Sequence, residues 1–194
     1  MTKPVPTRIS LPNVSLPNVS LPSVSLIAAS CLAAPAIAQS SVDRIAAPGG
    51  EVVITDAKAR AAYETWHYAP ARRAGDYVYV SGVVIARAST GPYTVDSFKA
   101  AARSGFARIR AQLTAFGLTF DDVVMVNSFH DWTAPEFGGD RLAQFQAFGA
   151  VKDEFMTGVH PAWTAVGTSG LISPEGIVEV QMIAYAPQKR RPKR

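Results

Sequence analysis

From Glu51 onward the spacing of apolar positions switches between steps of two and steps of three or four, and each switch marks an element. Glu51 to Thr55 (EVVIT) is a short strand. The Ala-rich stretch Lys58 to Tyr63 allows a turn or two of helix, which Pro70 stops. Gly75-Asp76 is a turn, and Tyr77 to Ala86 (YVYVSGVVIA) is an apolar, β-branched central strand. Ser81-Gly82 falls inside it, and glycine in a strand interior marks a bulge or a close backbone approach. Thr94 is an N-cap with Asp96 in the first turn. Phe98, Ala102, Phe106, Ile109, Leu113 and Phe116 then recur at steps of 4, 4, 3, 4 and 3, one helix face that Gly117 closes. Val123 to Phe129 is a second strong strand, and Trp132 to Gly139 a loop. Leu142, Phe145, Phe148, Val151 and Phe155 define a second amphipathic helix. Pro161 to Ala186 closes the chain with a strand pair.

The order β, β, α, β, α, β, β predicts an α+β fold: a single mixed β-sheet with two helices on one face. In the last strand Val178, Val180, Met182 and Ala184 share one face, and Ile177, Glu179, Gln181, Ile183 and Tyr185 the other. That second face carries apolar groups the helices do not reach, so it needs cover, and a closed oligomer would supply it. Glu179 sits among them. Burying an unpaired charge is costly, so such a carboxylate is paired, placed at an interface, or functional.

The N-terminal part reads differently. Lys3 and Arg8 precede an apolar small-residue run from Leu26 to Ala38, and Ala36-Ile37-Ala38 before Gln39 fits an A-x-A cleavage site. Residues 1–38 are therefore expected to be a signal peptide, which implies a periplasmic or secreted protein. The repeat LPNVS-LPNVS-LPSVS inside it carries a regular proline that opposes a helix. A lipobox reading of Cys31 is weaker, because Ala28 stands where Leu is wanted. Residues 39–50 read as a linker, 51–187 as the folded domain and 188–194 as a basic tail. Cys31 is the only cysteine, so the processed chain excludes disulfides, thiolate metal sites and cysteine nucleophiles. No run after the leader approaches ~18 apolar residues, so no membrane span is expected. The net charge of +4 misleads: between 39 and 188 stand 12 basic and 15 acidic groups. That mildly acidic body and a basic tail without interleaved aromatics argue against a nucleic-acid partner.

Pro161-Ala-x-Thr, a Gly/Leu/Pro loop and then Val178-Glu-Val-x-x-Ile-Ala resemble the C-terminal signature of the RidA/YjgF proteins, the reactive-intermediate (imine/enamine) deaminases. The resemblance runs from about Tyr68 to Pro187. It implies a chorismate-mutase-like fold in which three subunits pack their sheets into a central β-barrel, with a small-molecule cleft between subunits and no cofactor. Carried over residue by residue, it makes Glu179 the acid that positions the hydrolytic water. Tyr68, thirteen residues before Ser81, falls on the cleft-rim tyrosine. Ser81 and Gly82 fall on the strand segment whose backbone faces the ligand. The family's carboxylate-gripping arginine falls on Trp163, with Ala165 two residues on, and a cleft asparagine falls on Gly149. Trp for Arg removes a fixed bidentate cation and adds apolar surface with one N–H donor. Three outcomes stay open: Trp163 plugs the cleft, it redirects the cleft to a neutral or aromatic ligand, or deamination survives.

Other candidates are weaker. Ser81, His130 and Asp131 supply the residue types of a catalytic triad, but His130 and Asp131 are adjacent and face opposite ways on a strand. No G-x-S-x-G elbow surrounds Ser81. His67, His130 and His160 show no metal-ligand spacing, so no metal is expected; His130 reads as a strand-end residue. Two function classes remain: an imine/enamine deaminase using Glu179, or a non-enzymatic trimer that binds small metabolites. Some relatives carry an endoribonuclease label, which the acidic body makes the least favoured reading.

Overall fold

Two tight turns fold the chain back on itself at its start. Gly49 after Pro48 adopts φ +77° and Gly75 before Asp76 adopts φ +60°, conformations glycine takes without a Cβ penalty. They join β1 (Asp43–Ala47) to β2 (Gly50–Ile54) and β3 (Ala71–Ala74) to β4 (Tyr77–Ala86). The computed structural model describes residues 42–86, 94–135 and 137–188; the expected leader with Cys31 and the basic residues from 189 on lie outside them. Asp43–Ala47, expected within a linker, is thus an edge strand. Its Ala/Pro/Gly composition is that of a hairpin turn, and ion pairs of Arg44 with Glu51 and Arg60 with Asp43 hold it against its neighbours.

Asp56 caps α1 (Ala57–Trp66) by accepting the Ala59 N–H at 2.8 Å, and His67 ends it in the left-handed region. This helix buries none of its residues. Thr94 and Ser97 form a reciprocal capping box on α2 (Val95–Ala115), and Gly117 at φ +74° lies just past its end. After a 3-10 turn at Phe120–Asp122 come β5 (Val123–Asp131), α3 (Arg141–Phe155), β6 (Ala162–Thr168) and β7 (Gly176–Tyr185).

Seven strands form one sheet in the order β1-β2-β3-β4-β7-β5-β6. Every pairing is antiparallel except β5 with β6, which α3 connects as the crossover a parallel pair requires. The α+β expectation of a single mixed sheet with helices on one face holds, with β1, β3 and a full α1 added. Phe98, Ala102, Phe106, Ile109 and Leu113 of α2 are buried against Val78, Val80, Val83 and Ile85 of β4 and the even positions of β7. Phe106 meets Phe120, Phe148 and Phe155 with ring centroids 5.1–6.0 Å apart. Arg103 grips Glu154 through two 2.7 Å hydrogen bonds, tying α2 to α3 across the exposed side.

Two expected faces are revised. Ile177 lies in the core, because the β4–β7 register slips between Ile85 and Ala86. On α3, Leu142 is exposed and Gln144 and Lys152 are buried in its place. The Gln144 amide answers polar groups of β5, which the apolar pattern alone does not register.

A Cβ on Gly105 would stand 2.8 Å from Cγ1 of the fully buried Ile85. Helix propensity alone gives Gly105→Ala a gain of about 1 kcal/mol, whereas overpacking a filled core costs roughly 1–3 kcal/mol. The contact dominates. Gly105→Ala should lower the urea midpoint by about 1 kcal/mol in stability at unchanged m-value, and a midpoint above wild type would show that Ile85 yields freely.

Candidate functional site

The β4 strand is bulged. Val80 pairs with Met182 and Val83 with Val180, so Ser81 and Gly82 together stand opposite one residue of β7. Val80 and Val83 thereby both enter the core. Ser81 is anchored at its other side, its hydroxyl donating to the Ala69 carbonyl at 2.6 Å and its N–H to the Pro70 carbonyl at 2.9 Å. Glu179, across from Val84 and Phe129, extends its carboxylate over Gly82. A Cβ there would stand 1.7 Å from Glu179 Oε1, so a side chain at position 82 would displace the carboxylate from this place.

Pairing between β3 and β4 ends at Val80, leaving the edge of β4 beyond it without a strand partner. A cavity of about 380 Å³ opens along this edge, between α1 and α2. Tyr68, Ser81 and Gly82 line it, as do Arg108 and Gln112 of α2. Arg108 Nη2 donates to the Val84 carbonyl at 2.6 Å. Gln112 is 8% exposed, and its Oε1 has no hydrogen-bond partner among the described residues.

Trp163 and Ala165 are elsewhere. They lie on β6, separated from β4 by β7 and β5, about 14 Å across the sheet at strand spacing. Trp163 turns inward under α3. Its Nε1–H donates to Ser128 Oγ at 2.9 Å, its ring stacks on Phe145 at 5.0 Å, and the Lys152 ammonium lies 5.2 Å from it. A Cβ on Gly149 would be 3.9 Å from the Trp163 ring, so these two positions are neighbours. Because the indole can only donate, Ser128 turns its own proton to His130 Nε2 at 2.9 Å. The His130 Nδ1–H then donates to Gln144 Oε1 at 3.2 Å, and the Gln144 amide donates to the Asp131 carbonyl at 2.9 Å. His130, expected at a strand end, has no exposed surface and stacks on Trp132. Ser81 on β4 lies two strands across the sheet from His130 on β5, about 10 Å at strand spacing, which removes the triad geometry.

The sequence profile of the family described as endoribonuclease L-PSP matches residues 58–186. The RutC family protein YjgH of Escherichia coli (strain K12) is 37% identical over 128 residues, covering 66% of this chain and 88% of that protein. The chain belongs to the YjgF/RidA/L-PSP family. The solved structure of YjgH superposes with a TM-score of 0.51, at 35% identity over 66% of this chain and 89% of that one. Rv2704 of Mycobacterium tuberculosis, a YjgF/YER057c/UK114 protein, shares the fold at TM-score 0.53 and 21% identity, covering 75% of this chain and all of that one.

Within this YjgF/RidA chain, then, the expected site divides. Tyr68, Ser81 and Gly82 share a cavity, Glu179 lies against Gly82, and Trp163 with Ala165 stands at the far edge. Among the described residues no three His, Cys, Asp or Glu are grouped to hold a metal ion. Arg108 and Gln112 were not foreseen. The signal was available for Gln112: it sits three residues after Ile109 and four before Phe116, a polar group on the apolar stripe of α2.

Burial pushes the His130 pKa down to about 4 from 6.5, against the Gln144 hydrogen bond, which acts the other way. The unfolded chain therefore takes up this proton first as pH falls. The contribution is complete above about pH 6.5 and is lost on descent toward about pH 4. Unfolding free energy should fall across that window with a slope approaching ~1.4 kcal/mol per pH unit, the value for one proton. His130→Asn should flatten it. An unchanged slope in the variant would remove His130 as the cause.

Proposed function

We propose that this protein is an exported small-molecule deaminase of the imine/enamine class whose activity on carboxylate-bearing substrates is weakened, with its working site completed between subunits. The observation that carries this reading is the carboxylate of Glu179 lying directly against Gly82, beside a cavity of ligand size. An acid so placed holds a water against a bound C=N bond. The water oxygen adds to the imine carbon, the π electrons pass to nitrogen, and Glu179 takes the water's proton and returns it to the nitrogen. Glu179 then carries the carbinol O–H proton to the same nitrogen, and cleavage of the C–N bond releases ammonia and leaves the carbonyl compound.

Trp163 decides how well this works. It replaces the arginine that would meet a substrate carboxylate, and its contacts with Ser128, Phe145 and Lys152 hold it under α3, which supports a weakened rather than a full activity. A second reading, metabolite binding without turnover, is favoured by this same inward indole. Self-association is supported by the uncovered sheet face, where Tyr77, Tyr79 and Tyr185 are each more than 40% exposed. Three copies closing a barrel would cover it.

Ammonia release from 2-iminoacids generated in situ by an amino-acid oxidase tests the activity. Turnover should be far below that of an arginine-bearing relative and abolished in Glu179→Gln; full wild-type turnover would sink the role given to Trp163. Trp163→Arg alone should gain little, because the new guanidinium would face the buried Lys152 ammonium. Combined with Lys152→Met it should recover roughly 10-fold in substrate affinity, the low end for a charge-assisted pair. Protein recovered from an exporting cell should begin at Gln39 and sediment as a trimer; a stable monomer, or a chain starting at Met1, would reject the corresponding half of the proposal.

A further inference from the structure

An isolated helix shorter than about 12–15 residues is marginal in water, and within a fold it is held by the apolar face it packs. α1, of 10 residues, has no such face: none of them is buried, and Trp66 at its end is 75% exposed. Lys58, Ala59 and Ala62, one side of the helix by their spacing, line the cavity across from α2. Two methyl groups and a lysine stem offer nothing that interlocks with the opposite wall. Among the described residues, the one side-chain bond from α1 to another element is the ion pair of Arg60 with Asp43 of β1. The chain on either side of the helix is fixed, by contrast. Ile54 before it is buried, and beyond it Ser81 holds the Ala69 and Pro70 carbonyls at 2.6 and 2.9 Å. Between the helix and that anchor His67 takes φ 54° and ψ 36°, the only positive φ outside glycine among the described residues. We propose that α1 is a hinged lid over the cavity: it swings as one unit between Thr55 and His67, and the Arg60–Asp43 ion pair is its latch.

The inference goes beyond the hydrolytic reading and rests on it only in taking the cavity as the route to Gly82 and Glu179. A segment with so little buried surface opens locally while the rest of the fold stays intact. Opening admits a ligand to the free edge of β4. Closing returns Ala59 and Ala62 over that edge and limits the water that reaches the reacting carbon. An exposed ion pair suits a latch, because its contribution is small and salt weakens it. His67 suits a hinge, because an L side chain in the left-handed region is relieved of strain when the chain straightens.

Hydrogen exchange of the full chain, read by mass spectrometry, tests it. Amides of 57–66 should exchange at least ~10-fold faster than those of 98–113 in α2. Asp43→Asn should speed α1 a further ~2- to 5-fold, the factor for losing an exposed ion pair, with β1, β2 and α2 unchanged. Raising the salt concentration should do the same in wild type and nothing in the variant. Access to the cavity is read with Val83→Cys in a Cys31→Ser background, since Val83 is a buried residue of the cavity wall. Its rate of reaction with a soluble disulfide reagent should rise in Asp43→Asn by the same factor as α1 exchange. If Val83→Cys does not fold, Ala62→Cys on the inner side of α1 serves. Protection of α1 equal to that of α2, no effect of Asp43→Asn, loosening of β1 along with α1, or labelling that stays constant while α1 exchange rises would each overturn the proposal. Ammonia release from a chain whose α1 is as protected as α2 would refute the lid alone. A lid that opens as described on a chain that releases no ammonia would refute the hydrolytic reading alone.

Discussion

The space above Gly82 is the constraint on which the rest of the structure turns. Glu179 fills it, and a side chain at position 82 would have to displace its carboxylate. The strand accommodates this by bulging, which sets Val80 and Val83 on the same side and so fixes which residues of β4 meet α2. β7 carries the other half of the arrangement. It lies between β4 and β5, sends Val178, Val180, Met182 and Ala184 into the core, and presents Glu179 on the opposite face. A single alternating strand thus holds the helices with one set of side chains and the acid with the other.

Much of this was legible in the sequence, for reasons that are local. The extents of β4 and α2 follow from Gly75-Asp76, from the Thr94 cap and from Gly117, each a residue whose chemistry ends or begins an element. The bulge was announced by a glycine inside a β-branched run. What composition hid was anything that depends on a distant partner. Asp43–Ala47 reads as linker until Ile45 is paired with Val52 and Arg44 with Glu51. Leu142 outranks Gln144 on hydrophobicity, yet Gln144 is buried because His130 and the Asp131 carbonyl supply its hydrogen bonds. For the site, the motif located Glu179, Ser81, Gly82 and Trp163 along the chain. Their division between the middle of the sheet and its β6 edge follows from strand order, which no motif encodes.

The interior beneath α3 shows how a lost charge is absorbed. An indole is amphipathic: its faces want apolar or cationic neighbours and its one N–H wants an acceptor. Phe145 and Phe148 supply the first, Lys152 the second and Ser128 the third. Gly149 leaves room beside the ring. The Ser128 proton is then free for His130, which must be neutral to accept it, and burial keeps it so by lowering its basicity.

The two ends of the sheet are chemically unlike, and this bears on how the chain behaves when copies crowd together. The β1 end is salted with Asp43 and Arg44, each already paired to a neighbour. The β6 end, Ala162–Thr168, carries no charged side chain and leaves one side of its backbone without a strand partner among the described residues. Strand-to-strand stacking into a fibre needs an adhesive edge at both ends of the repeating unit. This sheet has one. Joining through β6 can link two copies back to back, after which only the charged β1 edges face outward and growth stops.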